Sequence, residues 1–415
     1  MPLVALGAPL LPTRGELDRL TAAMENALFQ GIVPFWVDKT IDPAGGYLLH
    51  HDASGKALGP GVRGVETQAG MVWLYARLAR MGHEPKRMLE AAEHGMKFLR
   101  ERMWDGKYGG FYWEVDALGK PTKANKHVLA QAWGLEAIAE LGQAGGRKDL
   151  RGFALGLIEL LDKQAHDVAH GGYVEYFLQD WATPPVNEPI YLAGSAAGMK
   201  TMRTHLRMMR AIVGLYGWTK AALMRDRLIE LIAIGSSAVY RKPQMAATDK
   251  YDRDWSPRLE GAYGEVHYGM DLENVWTLAE AVRAVGLSMS PYVDLMRANF
   301  AYCQRFGYDA VEGGFYSAGQ LSQAATDKAK TASVEAEAMV AALEMYKLTG
   351  STEYFEVFRR TWAYCENQLV DRENGDWFEV AGAGPKASVE RAGYRHGRAM
   401  VECVARLRAI REKTS

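Results

Sequence analysis

Apolar positions recur along this chain at helical spacing in twelve stretches, at about 14–36, 63–82, 86–103, 126–144, 148–167, 196–217, 219–238, 268–286, 289–306, 333–350, 352–370 and 393–412. They fall into six pairs. The first member of most pairs is amphipathic: Arg87-Met88-Leu89-Glu90-Ala91-Ala92-Glu93 sets charge on one face and apolar groups on the other. The second members are small, apolar and sparsely charged, as in Leu129-Ala130-Gln131-Ala132-Trp133-Gly134-Leu135. Such helices are buried on most sides. A short phrase punctuates the pairs: Gly45-Gly46-Tyr47, Gly109-Gly110-Phe111-Tyr112, Gly171-Gly172-Tyr173 and Gly313-Gly314-Phe315-Tyr316, with a looser copy at Gly375-Asp376-Trp377-Phe378. Paired glycines allow a tight turn, and the aromatic after them starts a short extended segment. A repeat of about 60–65 residues, or twice that, marks an array of similar supersecondary units. The pattern predicts an all-α fold, an (α/α)6 barrel with short β-hairpins at one mouth, as a single domain over 1–415. Function is expected at that mouth, where the inner helices begin.

Composition narrows the classes. The 49 Lys+Arg against 50 Asp+Glu leave no field calling for nucleic acid or an anionic membrane. Cys303, Cys365 and Cys403 are an odd number confined to the last third, which fits reduced thiols in a cytoplasm. No basic-then-apolar leader opens the chain, and no apolar run reaches the roughly 18 residues of a membrane span. The expectation is a soluble cytoplasmic protein, a monomer or homodimer.

Charged and imidazole groups on the inner helices draw attention because burying an unpaired charge is expensive. Four segments carry them: 200–210 with Arg203, His205, Arg207 and Arg210; 267–274 with His267, Asp271 and Glu273; Glu335-Ala336-Glu337; and 394–402 with Arg395, His396, Arg398 and Glu402. His50-His51 and the pair His166 and His170 have metal-compatible spacing but lie in hairpins or on an outer helix, so no metal is expected. No glycine-rich phosphate loop supports a nucleotide.

Several of these phrases resemble the N-acylglucosamine 2-epimerase family, which includes cellobiose 2-epimerases, mannose isomerases and sulfoquinovose isomerase. They are Gly171-Gly172-Tyr173-Val174-Glu175-Tyr176-Phe177 with Asp180-Trp181, Tyr268-Gly269 followed by Asp271 and Glu273, Glu337-Ala338, and Gly397-Arg398 with Glu402. The resemblance covers nearly the whole chain. It implies the same barrel and a sugar isomerisation without cofactor, in which one histidine removes the proton next to the carbonyl to give a cis-enediol and a second helps return it. Imidazole suits that work near neutral pH.

The chain departs from the family pattern at the catalytic positions. Tyr-Gly-His-x-x-Glu is here Tyr268-Gly269-Met270 with Glu273, and Tyr-His-Asn-x-Arg is Tyr394-Arg395-His396-Gly397-Arg398. The Asn-x-x-x-His-x-x-Glu set becomes Arg203, Arg207 and Arg210; an expected arginine is Gly70, and two expected tryptophans are Ala332 and Ser333. A thioether takes no proton. The replacements run toward arginine, so the expected substrate is a small carbohydrate carrying an anionic group, gripped by guanidinium groups. His267 is the candidate base, His396 or His205 the second acid/base, and Glu273 a further catalytic candidate. Arg203, Arg207, Arg395, Arg398, Glu337 and Trp181 are the candidate binding residues. Against this, the arginines can pair with Glu265, Asp271, Glu273, Glu335, Glu337 or Glu402 as a structural network, and each histidine can be a structural one. Two other functions remain open: lyase or hydrolase chemistry on an acidic sugar, with Glu273, Glu337 and Asp254 as acid and base, or a binding protein without catalysis.

Overall fold

The computed structural model describes residues 10–185, 192–242 and 244–414. In chain order, α1 (Arg14–Asn26) continues through a π-helical segment (Ala27–Ile32) into α2 (Val33–Lys39). Then come α3 (Val65–Arg80), α4 (Pro85–Phe98), α5 (Val128–Ala144), α6 (Lys148–Gln164), α7 (Met202–Thr219), α8 (Ala222–Ala233), α9 (Tyr268–Val285), α10 (Ser290–Gly307), α11 (Ala332–Thr349), α12 (Thr352–Tyr364) and α13 (Tyr394–Lys413). The inner ring is α3, α5, α7, α9, α11 and α13, each packed on the next, with α13 closing back on α3. Outside it, α4, α6, α8, α10 and α12 each cover the inner helix before them in the chain, and α1 covers α13. The fold is an (α/α)6 barrel. The division follows the side chains: α5 is buried without a break from Val128 to Gly142, whereas α4 buries mainly one stripe around Met88, Ala92 and Met96. Among the described residues no helix is long and apolar enough to cross a membrane.

Each glycine phrase closes a hairpin between an outer helix and the next inner one, through the bridges Ile41–Tyr47, Trp104–Phe111, His166–Tyr173, Tyr308–Phe315 and Val370–Trp377. The remaining hairpin pairs Tyr240–Arg241 with Ala246–Ala247. It lacks the glycines, and Met245 takes the left-handed φ of 59° instead. An aspartate opens the glycine-bearing turns, as Asp105 accepts from the Lys107 and Tyr108 amides. A buried cation pairs with it: Lys126 with Asp105 at 3.0 Å, Lys200 with Asp167 at 3.0 Å, Lys330 with Asp309 at 2.7 Å, Lys386 with Asp371 at 2.8 Å, and Arg63 with Asp42. One predicted boundary shifts: the helix expected from 196 starts at Met202, because Gly198 turns at φ 76° and Lys200–Thr201 pairs with Lys250–Tyr251 as strand.

Candidate functional site

Counting along each inner helix explains where its side chains point. The fourth residue of five of them turns outward and takes a backbone amide of the preceding hairpin. Gln68 accepts from Tyr47 at 2.9 Å, Gln131 from Phe111 at 2.6 Å, His205 Nε2 from Tyr173 at 2.9 Å, Asp271 from Ala247 at 3.1 Å and Glu335 from Phe315 at 2.9 Å. The second and sixth residues, one turn apart on the same face, look down the axis. All six second residues (Glu66, Leu129, Arg203, Gly269, Ser333 and Arg395) line a cavity of about 490 Å³. Of the sixth residues, Trp133, Arg207, Glu273 and Glu337 line it too. The connection before α13 adds Glu379, Ser388 and Arg391 to its wall.

The arginines are mostly committed beneath this cavity. Arg207 donates to Glu136 at 2.8 Å and to the Tyr394 hydroxyl at 2.9 Å, and stacks 3.6 Å from the Trp133 ring centroid. Arg210 bridges Glu273 and Glu136, each at 2.9 Å, and also reaches the Tyr394 hydroxyl. Burial opposes the charge on Glu273, but Arg207 and Arg210, joined by Arg395 and Arg398, outweigh it and hold the carboxyl well below its ordinary range. Arg395 pairs with Glu66 at 2.9 Å. Arg398 lies below the cavity wall, paired with Glu337 at 2.6 Å, and Trp276 donates to the other Glu337 oxygen at 2.9 Å. Arg203 differs. Its side chain is exposed at the cavity, and among the described residues it has no hydrogen bond or ion pair. So the expected pairing with Glu273 and Glu337 forms, Glu265, Asp271 and Glu335 lie outside it, and Glu136 and Glu66, unanticipated from the sequence, complete it.

The three candidate histidines separate. His205 is outside the cavity lining, with both nitrogens used: Nε2 accepts from Tyr173 and Nδ1 donates to the Thr201 carbonyl at 2.7 Å. Burial pushes it down to about 3, so the ring is a neutral anchor with no nitrogen free for a substrate. His396 lines the cavity, with Nε2 bonded to Asp376 at 2.5 Å. His267 lines the cavity at the N-cap of α9, yet its side chain caps nothing. Among the described residues its ring has no hydrogen-bond partner. Burial lowers its proton affinity, with Asp249 opposing and Arg203 assisting, so at neutral pH it is an unprotonated imidazole, as a base requires. Met270 lines the cavity one turn on.

Two other candidates are placed elsewhere. Trp181, at a left-handed φ of 67°, donates to the Tyr108 and Gly109 carbonyls and covers the second hairpin. Trp255 does the same for the third. Both are caps of the repeat, away from the cavity. Asp254 sits in an exposed turn, accepting from the Ser256 amide. His166 and His170 bond to Glu230 and Asp167 in the third hairpin.

Comparison with known proteins agrees with the architecture. The profile of N-acylglucosamine 2-epimerase (GlcNAc 2-epimerase) matches residues 46–392. A cellobiose 2-epimerase of Bacteroides fragilis is 24% identical over 393 residues, spanning 92% of this chain and 98% of that protein. A D-mannose isomerase of Marinomonas mediterranea is 20% identical over 367 residues, 86% and 88% of the two chains. The solved cellobiose 2-epimerase of Spirochaeta thermophila superposes with a TM-score of 0.86 at 28% identity, covering 96% of this chain and all of that one. With a barrel, a mouth cavity and a family match over most of its length, the chain belongs to the N-acylglucosamine 2-epimerase family.

Proposed function

We propose that this protein is a carbohydrate isomerase that shifts a proton next to the sugar carbonyl, with His267 as the base. The observation that carries the reading is the uncommitted His267 ring in the mouth cavity, beside Met270 where the family pattern has its histidine. The opened sugar gives its C2 proton to His267 while the C–H electron pair forms the C1–C2 double bond of the enediol. The carbonyl pair moves onto O1, the O2 proton passes to O1, and return of the C2 proton from His267 to C1 as the C2 carbonyl forms yields the ketose. A single base working one face of the enediol suits this transfer to the neighbouring carbon, whereas inversion at C2 needs a proton delivered to the opposite face. Relatives named as cellobiose 2-epimerases and D-mannose isomerases support chemistry of this class.

Arg203 supports an anionic substituent on the substrate, because among the described residues it is the cavity arginine whose side chain makes no hydrogen bond or close ion pair, its charge felt by Asp249 only at longer range. A hydrolase reading finds less support: Glu273 and Glu337 are both engaged by arginines, and Glu273, held well below its ordinary range, is not a ready proton donor. The test is deuterium exchange at C2 in D2O, followed by NMR on D-mannose, cellobiose, D-glucuronate and mannose 6-phosphate. Exchange by wild type, abolished in His267→Gln, supports the proposal. Exchange unaffected by His267→Gln, or none with any of the four sugars, overturns it.

A further inference from the structure

The inward stripe that lines the mouth cavity continues down each inner helix to the opposite end of the barrel. Past the second and sixth residues, the same face returns at the thirteenth and sixteenth. The thirteenth residues are Arg77, Glu140, Gly214, Glu280, Glu344 and Arg406, and three of the sixteenth are Arg80, Arg283 and Lys347. With Glu402, one turn above Arg406, they form a charged layer. None of them lines the mouth cavity.

The layer is out of balance at one place. Glu140 takes Arg80 at 2.9 Å and Arg77 at 3.5 Å, Glu402 takes Arg77 at 3.2 Å and Arg406 at 2.5 Å, and Glu280 takes Arg406 at 2.8 Å. Glu344, wholly buried, is left to serve three cations. Arg283 and Arg406 hydrogen-bond to its two oxygens, Arg406 at 2.9 Å, and Lys347 stands off at 3.6 Å. Five cations thus meet four carboxylates, and Lys347 is the surplus one: among the described residues its nitrogen donates no hydrogen bond. Arg283 is under-used as well, with Glu344 its one hydrogen-bond partner among them.

The Lys347 side chain is 29% exposed, open to a small solute but short of full hydration. Glu344 faces it from its own helix, Glu280 and Arg283 from α9, and Glu402, Arg406 and Lys413 from α13. Burial, then Arg406 and Arg283, lower its pKa from 10.5 to about 8, with Glu280 opposing and Lys413 assisting. At pH 8 about half of these side chains therefore carry a neutral amine, against less than about 1% for an ordinary lysine.

We propose that Lys347 is a carbamate-forming site: its free amine takes up dissolved carbon dioxide, and Arg283 and Arg406 hold the product. The nitrogen lone pair bonds to the carbon of CO2, one C–O π pair moves onto oxygen, and the nitrogen then loses a proton to solvent. Amine and CO2 give an N-carboxylate and one proton, with nothing oxidised or reduced. A surplus cation becomes a carboxylate, and the two guanidinium groups gain the second acceptor that Glu344 alone does not supply. The site lies outside the mouth cavity, so it stands or falls apart from the isomerase reading.

Two measurements on the full chain test this. Protein equilibrated at pH 8 with ¹³C-bicarbonate, which supplies labelled CO2, is treated with triethyloxonium to fix carbamates as ethyl esters and mapped by peptide mass. Lys347 should carry the label at least about tenfold above the exposed Lys86 and Lys328, and Arg283→Gln should lower it about tenfold, as one charge-assisted partner is lost. The melting midpoint at pH 8 and constant ionic strength should rise with dissolved CO2 in wild type and stay level in Lys347→Arg, which keeps the charge but offers no amine. Labelling of Lys347 no stronger than that of Lys86 overturns the proposal, as does a label that Arg283→Gln leaves unchanged. An equal melting response in wild type and Lys347→Arg would place the CO2 effect elsewhere and overturn it too.

Discussion

His127 and His267 stand at the same place in the repeat, each immediately ahead of an inner helix on extended backbone (φ −137°, ψ 133° and φ −94°, ψ 104°). Their chemistry is opposite. His127 caps α5 by accepting the Leu129 amide on Nδ1 at 3.1 Å. Its Nε2 therefore carries the proton and faces Ser195 Oγ at 3.1 Å, and that hydroxyl donates to Glu175 at 2.9 Å. Serine, histidine and carboxylate stand in a row with the protons running the wrong way, because a base that activates serine must offer it a bare nitrogen. All three residues are 0% exposed. The His267 ring caps nothing and opens on the cavity. What separates a structural from a chemical histidine here is whether the fold has already used both nitrogens.

Exchanging the two histidines for alanine should give the most opposed effects, one on stability and the other on rate. His127→Ala loses a helix cap and strands buried polar groups, at about 2–4 kcal/mol of stability, whereas His267→Ala should stay within about 0.5 kcal/mol. In deuterium exchange, His267→Ala should lose at least about 10²-fold in rate. A stability loss at His267 equal to that at His127 would erase the distinction. Acid sharpens it. Burial pushes His127 and His205 down to about 3, below the value of about 6.5 in an unfolded chain. The unfolded state then binds protons first, so stability is complete above pH 6.5 and falls as the pH drops toward 3, by up to about 1.4 kcal/mol per unit for each ring. Thermal melts from pH 7 to 5 read this slope, and His205→Gln, which imitates Gln68 and Gln131, should reduce it.

Arg203 and Arg207 repeat the contrast on α7, one turn apart. Removing Arg207 leaves Glu136 and Glu273 buried with less compensation, so Arg207→Gln should cost about 3–5 kcal/mol. Arg203→Gln should leave the melting midpoint in place and weaken an anionic sugar about tenfold, as the loss of one charge-assisted hydrogen bond does. Calorimetric titration with D-glucuronate and thermal melts of both variants separate the roles. A stable Arg207→Gln that loses affinity would mean that Arg207, and not Arg203, meets the ligand.

The barrel was legible because burial on all sides and burial on one side leave different residue patterns, as α5 and α4 show. The cavity residues Arg203, His267, Glu337 and Arg395 were legible too, as charges at helix starts where apolar residues would otherwise stand. His205 was not separable from them by type, since an imidazole beside two arginines looks the same whether it anchors or reacts. A longer view of the repeat would have separated it. Lys126 and Gln131, Lys200 and His205, and Lys330 and Glu335 share a five-residue spacing, which puts His205 in the anchor class. Glu136 and Glu66 left no local signal, because their partners lie far along the chain, on α7 and α13. Asp376 was visible as a broken glycine pair, but its bond to His396 was not.

The smallest expected effect concerns the anchors themselves. Gln68 and Gln131 take a hairpin amide and return an N–H to the carbonyl of the same residue, Tyr47 and Phe111, both at 2.9 Å. Glu335 holds the same place, accepting from Phe315, and only its protonated form has a proton to give back. Burial raises its carboxyl to about 8, with the Phe315 amide and Lys330 opposing. In the unfolded chain the group ionises near 4.5, so the unfolded state releases its proton first. The stabilising contribution is complete below pH 4.5 and is lost as the pH rises through about 8. Glu335→Gln keeps the shape and removes the titration. It should melt close to wild type at pH 4.5 and be more stable by about 1–3 kcal/mol at pH 8.5. Melting curves at the two pH values decide the matter: a variant less stable than wild type at pH 8.5 would show that the Glu335 anchor works as a charged group, unlike its glutamine counterparts.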